Sequence, residues 1–194
     1  MYSLQTSVQI GQASFEIRNK GDFRMVLDCF SALNDEELNV PERIYAALII
    51  FYKDFNDLSD IVKVDEETLP ELQKAMMRFF NGGQDTQENK TSNFKLFDWD
   101  KDSNLICAAI NNVAKQEVRA LDYLHWWTFL GYYMSVSDSL LTTVISIRYK
   151  MAHHEKLEKH ERKFKAENPE YFNIDLRSVE QKEADEYIKK LWGE

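Results

Sequence analysis

Apolar side chains recur at three- and four-residue steps through most of this chain, and that spacing constrains the fold more than any other feature. Phe23, Val26, Leu27, Phe30 and Leu33 form one stripe, Ile44, Ala47, Leu48, Phe51 and Phe55 a second, and Leu72, Ala75, Met76 and Phe79 a third. Each stripe is one face of a helix with 3.6 residues per turn. The second half repeats the pattern with Ile106, Ala109, Ile110 and Val113, then a strongly aromatic helix predicted over 121–134, then Leu141, Val144, Ile145 and Ile147. Helix breakers are scarce, with six Gly and three Pro in 194 residues. That is too few turns for a many-stranded sandwich. The expected fold is mainly α: a helical bundle with a short N-terminal β-hairpin and an extended charged C-terminal helix.

The hairpin is read from residues 6–18, where Val8, Ile10, Phe15 and Ile17 alternate around Gly11. A lone hairpin is marginal in water, so it must pack on the helices that follow. Asn19 or Asp22 suits the N-cap of the first helix, and Pro41 fits the first turn of the second. Gly82-Gly83 stops the third. The polar stretch 82–95 reads as a linker or loop. The chain is thus divided into 1–81 (hairpin plus helices), the linker 82–95, helices over 96–172 that pack with the first half, and an amphipathic extension over 173–194. Residues 148–165 hold seven Lys/Arg, three Glu and three His, read as one solvated helix with pairs such as Glu155–Lys159 and Glu158–Arg162.

Charge and cysteine usage narrow the function classes. The formal net charge is −9, and acidic side chains outnumber basic ones in each half. An acidic chain repels phosphate backbones, so no nucleic-acid partner is expected, and the basic residues of 148–165 are interrupted by Glu. Cys29 and Cys107 both sit inside apolar helical patterns and are read as buried free thiols. No basic stretch followed by an apolar run opens the chain, and every apolar stretch is cut by Asp, Lys or His before a membrane-spanning length. A soluble, cytoplasmic protein without a membrane partner is expected.

Candidate chemistry is thin. Asp98-x-Asp100-x-Asp102 resembles the start of a calcium loop, but Ser103 and Ala109 stand where the turn Gly and the bidentate Glu are needed. Capping of the next helix is the preferred reading. His153 and His160 are two helical turns apart, roughly 10 Å along an axis, too far for one ion. His154, Glu158 and Glu161 share a face but lack the closer His pair or Cys of a zinc site. His125, before Trp126-Trp127, could act as a general base only with a partner that no recognised motif supplies. The reading therefore assigns no catalytic residue, no metal and no cofactor. The run Trp126, Trp127, Phe129, Tyr132 and Tyr133 cannot all point inward from one helix, because successive residues step by about 100°. Core packing is the first reading. A protein-binding patch is the second, with Trp126, Phe129, Tyr133 and the C-terminal Trp192 as candidate contacts.

Several blocks together resemble the bacteriophage "gene product fifteen" family of tailed phages and prophages of Gram-positive hosts. They are Gly21-Asp22-Phe23-Arg24-x-x-Leu27, Met76-x-x-Phe79-Phe80-x-Gly82, Phe97-Asp98-x-x-x-Asp102-x-x-x-Ile106-x-Ala108-Ala109, and Tyr123-Leu124-His125-Trp126-Trp127-x-Phe129, with Arg148 before the charged stretch. The Leu124–Phe129 block is the most specific. The resemblance covers about residues 2–172 and leaves 174–194 unmatched. It implies a gene placed among tail genes, near those of the major tail protein and the tape-measure protein, and a role like that of tail assembly chaperones in the host cytoplasm. The expected function is binding of tape-measure or tail-tube protein without catalysis. A component retained in the mature tail is the alternative, and self-association is left open.

Overall fold

The computed structural model describes residues 3–85 and 96–177. Strands β1 (Ser7–Ile10) and β2 (Ala13–Glu16) form an antiparallel hairpin with Val8 opposite Phe15. Gly11 opens the two-residue turn at φ +57, the left-handed backbone such tight hairpins require. Helices α1 (Phe23–Leu33), α2 (Val40–Phe51), α3 (Leu58–Val62) and α4 (Thr68–Phe80) follow. Then come α5 (Ser103–Ala114), α6 (Trp126–Met134), α7 (Leu140–Ala152) and α8 (Lys159–Glu167). The protein is mainly α with an N-terminal hairpin, as the apolar spacing predicts.

Two compact units emerge, each built from two stretches of chain. One comprises the described residues of Met1–Gln87 and Gln116–Ser135, the other those of Glu88–Lys115 and Val136–Glu194. In the first unit the core gathers Val26 and Cys29 of α1, Leu48 and Phe51 of α2, Leu72, Met76 and Phe79 of α4, and Trp126 and Phe129 of α6. The Phe51 ring meets Phe79 at 5.2 Å and Phe80 at 5.6 Å, both edge-on, the arrangement the ring quadrupole favours. In the second unit, the buried faces are Ile106, Ala109 and Ile110 on α5 and Leu141, Val144 and Ile147 on α7.

Helix ends follow local chemistry. The Asp22 carboxylate caps α1 by accepting the Arg24 N–H, which decides between the two predicted caps. Asn39 and Glu42 form a reciprocal capping box on α2, with Pro41 in its first turn. One terminal nitrogen of Arg18 donates to the carbonyls of Ile49, Tyr52 and Phe55 and so closes the far end of α2. At the end of α4, Gly82 N–H donates to Phe79 and Gly83 N–H to Arg78, with both glycines at positive φ. This is the Schellman stop predicted from the glycine pair.

Three expectations are corrected. The aromatic helix begins at Trp126, not 121, because Leu124 is extended: its N–H donates to Asp22 and its carbonyl accepts from Phe23. The charged run 148–165 lies on two helices. Helix α7 stops at Ala152 with His154 at φ +55, Glu155 N–H bonded to the Lys150 carbonyl and His154 N–H to Met151, a Schellman stop that uses His where Gly is usual. Asp102 occupies the N-cap position of α5 but makes no capping bond, because its carboxylate binds Arg148. Residues 86–95 of the expected linker and 178–194 of the expected extension lie outside the described residues.

Candidate functional site

Three of the blocks that carry the family resemblance, those at Gly21–Leu27, Met76–Gly82 and Tyr123–Phe129, lie inside the first unit. Asp22, 6% exposed, accepts from the N–H of Arg24 and of Leu124 and from the Arg24 guanidinium. The other end of that guanidinium donates to the carbonyls of Arg119 (3.1 Å) and Leu121 (2.6 Å). Phe23 stacks on Phe129 with ring centroids 4.5 Å apart and planes 6° apart. Thus the Gly21–Arg24 turn and the Leu124–Phe129 block hold one another across about a hundred residues of chain.

His125 sits at the centre of this junction, 1% exposed, as the N-cap of α6. Its Nδ1 accepts the Trp127 N–H at 3.0 Å, so that nitrogen carries no proton. Nε2 therefore holds the hydrogen and donates it to the Gln5 carbonyl at 3.0 Å. Burial pushes the ring below its ordinary pKa of 6.5, against the opposing pull of the Gln5 carbonyl and the Asp22 carboxylate. Both ring nitrogens are committed to main-chain groups, so the lone pair that a general base needs is already engaged in a helix cap.

The four candidate contact residues are placed differently. Trp126 and Phe129 are each 1% exposed, so their rings belong to the core and offer no docking surface. The reason is geometric: they lie three residues apart on the face of α6 turned to α1. Tyr133 is half-buried, and Trp192 lies outside the described residues. Sequence reasoning passed over Met134, which ends α6 at 76% exposed. A methionine at the end of an apolar helix carries no mark of its exposure.

In the second unit, Arg148 and Asp102 form a buried two-pronged ion pair, with Nη1 2.6 Å from Oδ2 and Nη2 2.9 Å from Oδ1. Arg148 also donates to the carbonyls of Leu96 and Tyr171. All five guanidinium N–H groups are thereby matched. Asp98, the first residue of the calcium-like run, accepts the N–H groups of Asp100 and Lys101 and so shapes its own turn. His153 ends α7 and packs on Tyr149 at 4.2 Å. His160 faces a cavity of about 510 Å³ with Thr142, Thr143, Ser146 and Phe164. Among the described residues no group of three His, Cys, Asp or Glu side chains is gathered closely enough to hold a metal ion.

Both cysteines are buried free thiols, and burial raises the Cys29 thiol far above its ordinary pKa. No helix among the described residues is long and apolar enough to cross a membrane. No curated protein and no solved structure matches the chain. A family model described as "Bacteriophage Gp15 protein" matches residues 2–174, which include the turn at Asp22, the His125–Trp127 cap and the Asp102–Arg148 pair, and the chain belongs to that family.

Proposed function

We propose that this phage protein is a non-catalytic assembly factor of the tail, working in the host cytoplasm by holding tape-measure or tail-tube protein before polymerisation. Family membership supports the phage setting, and the gene position implied by the resemblance supports the tail. The observation that carries the reading is the exposed end of α6. This helix contains no charged residue, and after its core face it leaves Tyr132 and Tyr133 half-buried and Met134 76% exposed. An adaptable thioether beside two phenol rings is the kind of surface on which an amphipathic partner helix docks.

Co-expression with the tape-measure protein, then pull-down, tests the proposal. Co-purification is expected, and it is expected to weaken in Met134→Glu and Tyr133→Ala. Absence of co-purification, with no gain in tape-measure solubility, would overturn it. Mass spectrometry of purified virions separates an assembly factor, absent from particles, from a component retained in the mature tail.

A further inference from the structure

The two outer edges of the hairpin are treated differently. Ile17 N–H donates to the Thr6 carbonyl, and Ser7 stands opposite Glu16. Even-numbered residues of β1 therefore bond to β2, and odd-numbered ones face outward. On β2 the outward groups of Glu16 are taken: its N–H donates to Asp54 and its carbonyl accepts from Lys53, each at 2.9 Å. On β1, the Gln5 side chain takes the Ser7 carbonyl at 3.0 Å. Among the described residues nothing bonds the N–H of Ser7 or the N–H and carbonyl of Gln9. The strand reads Ser-Val-Gln-Ile, with no Lys, Pro or bulge to guard that edge. Beside it lies a groove of about 600 Å³, lined by Ile10 and Trp127 and by Glu71, Lys74 and Arg78 of α4.

We propose that a second copy of this chain fills the groove, pairing its β1 antiparallel to the first across a two-fold axis at Gln9. Each Gln9 then exchanges both main-chain bonds with its counterpart, and two hairpins become one four-stranded sheet. Charge selects this occupant. Under the same two-fold, α4 runs antiparallel to its counterpart with Lys74 and Ala75 nearest the axis, which brings Glu71 of each copy opposite Arg78 of the other. All three charged residues are exposed; Glu71 and Lys74 have no ion-pair partner among the described residues, and Arg78, which meets Asp85 at 3.4 Å and donates to the Gly83 carbonyl, would be shared with the second copy's Glu71. Glu71 and Arg78 lie on opposite sides of the flank's midpoint and so pair twice across a two-fold, which outweighs the approach of the two Lys74 side chains at the axis.

Sedimentation equilibrium of the full chain tests this, with the mass of two chains expected. Gln9→Pro removes the outward donor and the exposed side-chain bond from Gln9 to the Ser14 hydroxyl, but no rung of the hairpin's main-chain ladder, because the Gln9 N–H lies outside it. It is expected to give the mass of one chain with an unchanged circular dichroism spectrum. Glu71→Arg, at an exposed helix position, is expected to give one chain as well, and Glu71→Arg combined with Arg78→Glu to restore two. A wild-type chain that stays single at every soluble concentration overturns the proposal, as does a two-chain mass kept by both folded single variants. If Gln9→Pro loses its helical signal, the charge variants decide: Glu71→Arg still sedimenting as two chains, or no recovery in the double variant, overturns the pairing.

Discussion

Trp126 and Trp127 are neighbours in the chain, and their indole N–H groups close neighbouring carbonyls of a single helix, those of Phe80 and Phe79, each at 2.9 Å. The last four carbonyls of any α-helix lack an intrahelical partner. At the end of α4 all four are accounted for: Met77 by Asn81 N–H, Arg78 by Gly83 N–H, Phe79 by Gly82 N–H and Trp127, and Phe80 by Trp126. The aromatic block is thus a helix cap before it is anything else.

The two indoles are unequal, and substitution separates them. Trp126→Phe leaves the Phe80 carbonyl without the indole N–H that closes it, a loss of about 1–3 kcal/mol. Trp127→Phe costs less, under about 1 kcal/mol, because Phe79 keeps the Gly82 N–H and Trp127 is half-exposed. Truncation of the fully buried Trp126 to Ala costs about 3–5 kcal/mol. Urea unfolding of the three variants checks the ranking.

Stability depends on pH through His125. The folded ring titrates below its ordinary value, so the unfolded chain binds the proton more tightly. The contribution is complete above an unfolded pKa of about 6.5 and is lost as the pH falls from there through the lower folded value. A second proton on Nδ1 would also remove the acceptor of the Trp127 N–H. Urea midpoints between about pH 8 and pH 5 are expected to fall more steeply for the wild type than for His125→Asn, whose carboxamide caps without titrating.

Two glycine substitutions give contrasting results. At Gly21, φ is +78, and an added Cβ would lie 2.7 Å from Phe79 Cζ and 3.1 Å from His125 Nε2. Gly21→Ala combines left-handed strain with a clash against the junction, about 2–4 kcal/mol. At Gly11 the φ is +57 with nothing within 4 Å, so Gly11→Ala costs strain alone, about 1–2 kcal/mol. Thermal melts of both variants measure the difference.

Breaking the buried ion pair is expected to cost about 3–5 kcal/mol in either Asp102→Ala or Arg148→Ala, because each leaves an uncompensated charge. The paired change Asp102→Leu with Arg148→Met removes both charges and is expected to be less destabilising than the sum of the single changes. Arg148→Lys does not rescue, since an ammonium cannot supply the two-pronged geometry or five donors. A double-mutant cycle by denaturant titration reads the coupling.

Most of the helices were legible because their signals are local. The stripes of α1, α2 and α4, the hairpin alternation around Gly11, Pro41 in the first turn of α2 and the glycine stop at Gly82 each act within a few residues. Two of the corrected features, the start of α6 and the missing Asp102 cap, have the opposite property, as does the burial of Arg148, whereas the stop of α7 at His154 is local. Leu124 is extended because Asp22 and Phe23 hold its backbone, Asp102 abandons its cap for an arginine 46 residues away, and Arg148 is buried although it opens a charged run.

Sequence alone determined the helical class, the element spacing and the family, because periodicity and motif are properties of neighbouring residues. Only the tertiary structure decided what the motif residues do: His125, Trp126 and Trp127 satisfy backbone groups that folding buries, and Asp102 and Arg148 neutralise one another. The physical reason is that a buried polar group must find its partner wherever the chain brings one. That partner's identity is a matter of three-dimensional proximity, which no local pattern encodes.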